Sequence, residues 1–437
     1  MDAALRDLED RGLLWWDRSS NSYDMHPIVR AYVHEQLDAG DRIQANERVR
    51  DHFQALPPER ADAATSVEDL RRTITIFRAL AGADQHAEAC ALWEWSLSYI
   101  LRYRFGAYAT VSELLFPLAG YDALVVSRDL SETQGMLGHH DESIGTASSA
   151  VAHAVRAKRP DETRMALQWL GGSLIDSGAL AGFARSVDLR QQLAEALGTS
   201  PNAWLLADMA RCTGMRGDVE HTFALLDEAE AAGRVVGDNL VLGDLRVQRL
   251  AFAYDVGEPI SERDLGAAEV ALDNWTNRHD LQVLRVQLLL SRGQLEQTLC
   301  AAHDLEQMER DAGAETTAAA SAAVLAMLGR RAEATAALEQ ALARLPRLHL
   351  ADRPHIWLAE AMLALGQLDE AAEHARIAYG QAWGDGPPHS HHWQVRRVRD
   401  LLERIGVAPP ELPTVLPASV HMPMEREVRA FIAKLAG

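Results

Sequence analysis

Apolar and small residues recur along this chain at helical spacing, interrupted by polar turns at a nearly constant interval. Seven of the turns are marked by glycines, Gly138, Gly178, Gly217, Gly257, Gly293, Gly329 and Gly366, which stand 40, 39, 40, 36, 36 and 37 residues apart. Seven residues before them come Ser131, Gly171, Ala210, Ala322 and Ala359. Five after come Ser143, Thr222, Thr298, Ala334 and Ala371, and twelve after come Ala150, Ala229, Ala341 and Ala378. Small side chains on both arms of a turn let two helix backbones approach closely. The glycine between them can take the left-handed conformation that ends a helix without a Cβ penalty. Pro346 stops the second helix of the sixth unit because it lacks an N–H to donate. The pattern predicts helix-turn-helix units, each too small to bury its apolar face alone, stacked into a solenoid.

The first forty residues follow a different pattern. Ala3 to Arg11 read as a helix with Leu5 and Leu8 on one face. Leu13 to Trp16 read as a strand, Asp17 to Ser22 as a turn and Tyr23 to Met25 as a second strand. Pro27 suits a first helical position and opens a helix expected to bury Ile28, Tyr32, Val33 and Leu37. Helix, hairpin and helix form the back half of a winged-helix domain, which needs further helices to cover Leu5 and Leu8, so the chain reads as cut from something longer. Proline punctuation then sets the organisation. Residues 1–56 are the C-terminal part of a winged-helix domain with connecting helices, and 65–405 the repeat solenoid. Residues 406–437 are a Pro-rich linker and a C-terminal capping helix with Val428, Phe431, Ile432 and Leu435 on one face. The expected fold class is all-α, a helical solenoid preceded by a small β-hairpin.

Composition supports this and narrows the function. Of 437 residues 48% are hydrophobic but only 6% aromatic, as in helix-dense repeat proteins. The net charge of -20 argues against nucleic acid or an anionic membrane as partner, since both demand a positive footprint. A protein or peptide ligand with a basic or mixed surface is expected instead. Lysine occurs only at Lys158 and Lys434, so no Gly-Lys-Ser/Thr phosphate loop exists in this sequence. Gly-x-Ser-x-Gly, His-Glu-x-x-His and Cys-x-x-Cys are also missing, and no catalytic residue, cofactor or metal is expected. His389, His391 and His392 beside Trp393, and His139-His140-Asp141 at a repeat turn, read as solvated turns. Cys90, Cys212 and Cys300 read as buried, reduced thiols. Neither a basic leader with an apolar run nor a span of ~18 apolar residues is visible, and a cytoplasmic location is expected.

The repeats resemble the tetratricopeptide family: Leu358, Ala359, Gly366, Leu368, Ala371 and Ala378 match its positions in order, as do Ala322, Gly329, Ala334, Ala341 and Pro346. Phe183 and Glu262 depart from it where the family prefers a small residue, and Glu258 to Ser261 looks like an insertion, so those units are expected to be distorted. The long period implies longer helices than the usual repeat. The resemblance implies an inner wall formed by the first helix of each pair. Counted back from the glycines, the family's ligand-facing positions fall on Arg128, Glu132, Gln168, Trp204, Arg211, Tyr254, Gln287, Arg353 and Glu360.

Leu5-Arg6-Asp7-Leu8-Glu9-Asp10-Arg11-Gly12-Leu13-Leu14, followed by Tyr23-Asp24-Met25-His26-Pro27-Ile28-Val29-Arg30, resembles the end of the winged-helix module of STAND ATPases of the NB-ARC type. Val67 to Leu70 with Ala79 to Gly82, and Ala382 to Pro388, resemble the beginning and end of that family's tetratricopeptide sensor. In the family a Met-His-Asp element sets its His near the β-phosphate of bound ADP. Met25 and His26 match it, and Pro27 departs from it. The resemblance implies a sensor region of a nucleotide-switched regulator in antiviral defence or signalling, with His26 sensing nucleotide only alongside an upstream nucleotide-binding module. A free-standing tetratricopeptide scaffold stays open as an alternative. So does a transcription regulator that uses its wing for DNA, although residues 1–37 hold four Arg against seven Asp and Glu.

Overall fold

The computed structural model describes the chain except residues 1, 18–21, 26–27, 30–31, 33–35, 58, 122, 273, 313–318, 346–351, 417–419, 421 and 437. It divides into two compact units, residues 1–97 and 98–437.

In the first unit, α1 (Asp2–Asp10) leads into an antiparallel hairpin of β1 (Leu14–Asp17) and β2 (Ser22–Met25), paired from Leu14 with Met25 to Asp17 with Ser22. Helix α2 (Ala39–Gln54) starts at Asp38, whose carboxylate accepts from the Asp41 N–H at 2.8 Å and satisfies one of the free donors of the first turn. Asn46 donates from α2 to the Gly82 carbonyl at the end of α3 (Arg71–Gly82), 3.0 Å away. Helix α4 (His86–Leu92) continues through a π turn at Trp93–Leu97, and Trp93 packs on Phe77 with ring centres 5.5 Å apart. Ile28 and Tyr32, expected in a core, are 73% and 62% exposed. His26, Pro27 and Val33 lie outside the described residues.

The second unit is a helical solenoid. After α5 (Tyr108–Leu115) come seven antiparallel pairs. They are α6 (Leu124–Met136) with α7 (His140–Arg156), α8 (Pro160–Asp176) with α9 (Leu180–Ala196), α10 (Ala203–Met215) with α11 (Val219–Val236), and α12 (Asn239–Val256) with α13 (Glu262–Ala271). Then follow α14 (Trp275–Ser291) with α15 (Leu295–Ala312), α16 (Ala319–Met327) with α17 (Arg331–Arg344), and α18 (Asp352–Leu365) with α19 (Leu368–Trp383). All seven spaced glycines are left-handed, with φ between +69° and +84°. Gly406, at φ +88°, ends α20 (His392–Ile405) in the same way, so α20 resembles an eighth first helix, and residues 407–416 after it form neither helix nor strand.

The small positions are where the pairs touch. Ser131, Ala210, Ala322, Ala359, Ser143, Thr222, Thr298, Ala334 and Ala371 are all buried. At Gly171 an added Cβ would lie 2.5 Å from the Ser186 hydroxyl and 3.5 Å from the Phe183 ring. Gly171 thus makes room for Ser186, while Phe183, the large residue expected to distort its unit, is buried at ordinary contact distance. The insertion before Glu262 does alter the fourth pair. Its second helix, α13, has 10 residues against 17 or 18 in α7, α9, α11 and α15. A capping box between Ser261 and Asp264 starts it afresh. Each pair buries leucines and alanines against the next, for example Leu167, Leu170 and Phe183 with Leu205, then Leu206, Leu225 and Leu226 with Val241 and Leu245. Cys90 and Cys212 are buried, and burial pushes the Cys212 thiol up to about 12. Cys300 is exposed, contrary to expectation, because Leu299, Ala301 and Ala302 occupy the core face of α15 and turn it outward.

Within this unit the ends return to the middle. Tyr108 packs edge-on against Trp275 of α14, its hydroxyl 3.0 Å from that of Thr276. Helix α21 (Glu425–Ala436) lies against α7 and α9 through Met422 and Val428, with Glu425 paired to Arg185 at 2.6 Å. Helix α20 touches both α10 and α12. Among the described residues, no helix is long and apolar enough to cross a membrane.

Candidate ligand-binding inner wall

The first helices of successive pairs run beside one another, and four of the nine wall residues expected from the sequence, Trp204, Arg211, Tyr254 and Glu360, reach from one such helix to the next or its cap. On α10, Trp204 donates its indole N–H to Asp238 at 3.2 Å. The other Asp238 oxygen caps α12 by accepting from the N–H groups of Leu240 and Val241, so one carboxylate starts a helix and ties down its neighbour. One turn pair further along α10, Arg211 holds both oxygens of Asp244 on α12, at 2.9 and 3.1 Å, with Asp208 3.7 Å away. Asp244 favours the Arg211 cation, raising its pKa. Burial pushes the Asp244 carboxyl up, and neighbouring Asp208 and Asp280 add to this against the pull of Arg211.

Tyr254 on α12 reaches the Gln287 carbonyl on α14 at 3.4 Å, and the Arg397 guanidinium of α20 sits 4.2 Å above its ring while pairing with Asp255 at 2.8 Å. Glu360 on α18 takes two bonds from Arg404 of α20, at 2.6 and 2.8 Å. Gln168 on α8 accepts from Arg190 at 3.3 Å, and Arg190 itself pairs with Asp208 at 2.5 Å. The side chain of Arg353, and His26 altogether, lie outside the described residues.

Arg128 and Glu132 belong to a separate, largely buried ion cluster. Arg102, 1% exposed, meets Asp129 at 2.5 Å and also bonds Glu132, while Arg128 pairs with Asp129 and the Ser98 hydroxyl donates to Asp129 at 2.5 Å. Burial alone would raise the Asp129 pKa, but Arg102 and Arg128 outweigh it and the carboxyl is lowered. Removing one partner of such a cluster leaves a buried charge unpaired and costs about 3–5 kcal/mol. The same argument applies more weakly to Arg211, so alanine at Trp204 and Arg211 would loosen the stack as well as alter the surface.

Between α10, α12 and the start of α20 lies a cavity of ≈ 170 Å³ whose lining includes Met215, Ala251, Phe252, Arg211 and His392. The turn leading into α20, expected from its histidines to be solvated, is exposed at Pro387, Pro388 and His392 but tied down elsewhere. Asp385 accepts from the Ala181 N–H at the start of α9, Trp383 donates to the Pro413 carbonyl, and His391 N–H bonds the Ala382 carbonyl. Ser390 is buried, and burial, with Arg216 nearby, lowers the His389 pKa. Among the described residues, no three His, Cys, Asp or Glu are placed to hold a metal ion.

The acidic partners Asp208, Asp238 and Asp244, and the cations Arg102, Arg190 and Arg397, were missed in the sequence. A signal for some of them was present, since Asp208, Asp244 and Asp280 recur every 36 residues, close to the period of the glycines. Repeated antiparallel helix pairs stacked along the chain define a helical-repeat protein. No family model matches the chain, and no curated protein matches it. One similar solved structure is a signal transduction ATPase with numerous domains (STAND) protein with a tetratricopeptide repeat sensor from Pyrococcus horikoshii. The TM-score is 0.38 and the identity 11%, over 91% of this chain and 55% of that one. The present chain therefore spans about half the length of that protein.

Proposed function

We propose that the chain is the protein-binding sensor region of a nucleotide-switched regulator of STAND type, cytoplasmic and acting in antiviral defence or signalling. It recognises a protein or peptide ligand on the inner wall and catalyses nothing itself. The observation that carries the binding half is Arg211 lining an open cavity between α10 and α12, beside the ring of Phe252. Aromatic and arginine side chains at the edge of a pocket are the usual anchors of an interface. The regulator half rests on the order of hairpin, helices and repeats, and on the likeness of residues 5–37 to the end of a winged-helix module.

The test uses variants that respect the contacts described above. Trp204→Phe keeps the ring but loses its N–H, and Arg211→Lys keeps the charge opposite Asp244 but loses the fork. The double variant, beside the wild type, is used to capture partners from infected host cells, with circular dichroism run on both. A defined protein held by the wild type and lost at unchanged helicity is the expected result. Equal capture by both chains would remove the inner wall from the proposal.

A further inference from the structure

Arg211 is only partly used. Its hydrogen bonds to Asp244 both come from Nη2, while Nη1 approaches Asp208 no closer than 3.7 Å and Nε makes no bond among the described residues. The side chain is 35% exposed and lines the cavity under α20, next to the apolar surfaces of Ile175, Met215, Ala251 and Phe252. An apolar cavity of about 150 Å³ takes a benzene-sized guest, so ≈ 170 Å³ suits one large side chain.

We infer that this cavity is the anchor subsite of the inner wall, taking one large apolar side chain of a ligand segment while Arg211 donates to an uncharged backbone carbonyl beside it. The inference rests on the protein-binding reading and gives it a ligand chemistry. The carbonyl is neutral, as opposed to a terminal carboxylate, because Arg211 already faces Asp244 and Asp208. A second anion there would sit among like charges. The upward shift of the Asp244 carboxyl, from burial with Asp208 and Asp280 close by, is consistent with a site already rich in negative charge.

The probes are N-acetyl-phenylalaninamide, N-acetyl-phenylalanine with its free carboxylate, and N-acetyl-alaninamide. Each is titrated into the full chain and followed by calorimetry and ligand-observed NMR. The phenylalaninamide is expected to bind with a Kd of about 1 mM, as its size allows, and each of the other two at least about tenfold more weakly. Ala251→Met fills the cavity and should abolish binding at unchanged helicity. Arg211→Lys, which keeps a cation for Asp244, should weaken the phenylalaninamide several-fold. Undiminished binding to Ala251→Met, equal affinity for the carboxylate, or no binding of the phenylalaninamide at 10-fold above about 1 mM would each overturn the subsite. Phenylalaninamide binding alongside unaltered protein capture by the wall variants would keep the subsite as a pocket and remove the inner wall as the protein-binding face. The reverse pattern would do the opposite.

Discussion

His279 shows how much one side chain can depend on where the fold puts it. On α14 its Nε2 lies 2.9 Å from a Glu309 oxygen and its Nδ1 3.2 Å from Asp280, with the ring stacked on Trp275 at 4.9 Å. Burial works to lower its pKa, but the hydrogen bonds to Asp280 and Glu309 outweigh it and raise the value to about 9. A folded value above the unfolded one of about 6.5 stabilises the fold fully below pH 6.5, and that contribution is lost as pH rises through about 9. Its ceiling is roughly 3 kcal/mol. The stability advantage of wild type over His279→Gln, measured by urea unfolding, should therefore shrink between pH 6.5 and pH 9.5. A constant gap across that range would mean that the imidazole is neutral in the folded chain. None of this was visible from the sequence, where His279 is one histidine among 17 and its partner Glu309 is on another helix.

Among the elements, the turns were the most legible. Glycine, small residues at fixed offsets and an apolar period encode a pair within about forty residues of chain, and all seven turns formed where the spacing put them. Gly406 stands 40 residues after Gly366, but it escaped notice because Arg399 and Glu411 occupy the positions seven before and five after it, where other turns carry small residues. The turns are not equivalent energetically. Around Gly293 nothing lies within 4 Å of an added Cβ, so Gly293→Val should lower stability by the left-handed strain alone, about 1–2 kcal/mol. At Gly217 the same Cβ would meet the His392 ring at 3.0 Å, so Gly217→Val adds a push against the first turn of α20 and should cost more. Denaturant midpoints give the comparison, and a wild-type midpoint for Gly293→Val would show that this turn does not need its glycine.

For the whole molecule the test is nucleotide. With no phosphate loop in its sequence and His26 as a single matching contact, the isolated chain is expected to give no calorimetric signal with ATP or ADP and to release no phosphate. Micromolar affinity for either nucleotide would sink the view that the switch lies in a separate upstream module.

Local spacing determined the helix pairs, their turns and the acid-rich surface, because each depends on residues close together in the chain. Tertiary structure alone decided what the wall residues do. Trp204, Arg211 and Glu360 were legible as polar or aromatic positions on one helical face, but their partners stand 33 to 44 residues away on the next pair's first helix or its cap. The returning ends lie further still beyond any pattern: Tyr108 meets Thr276 across 168 residues, Ala181 meets Asp385 across 204 and Arg185 meets Glu425 across 240. A solenoid's curvature is the sum of small rotations from pair to pair. The sequence specifies each rotation only through the packing of two neighbours, so which distant side chains meet, and whether a cavity is left between them, emerges only when the whole stack is assembled.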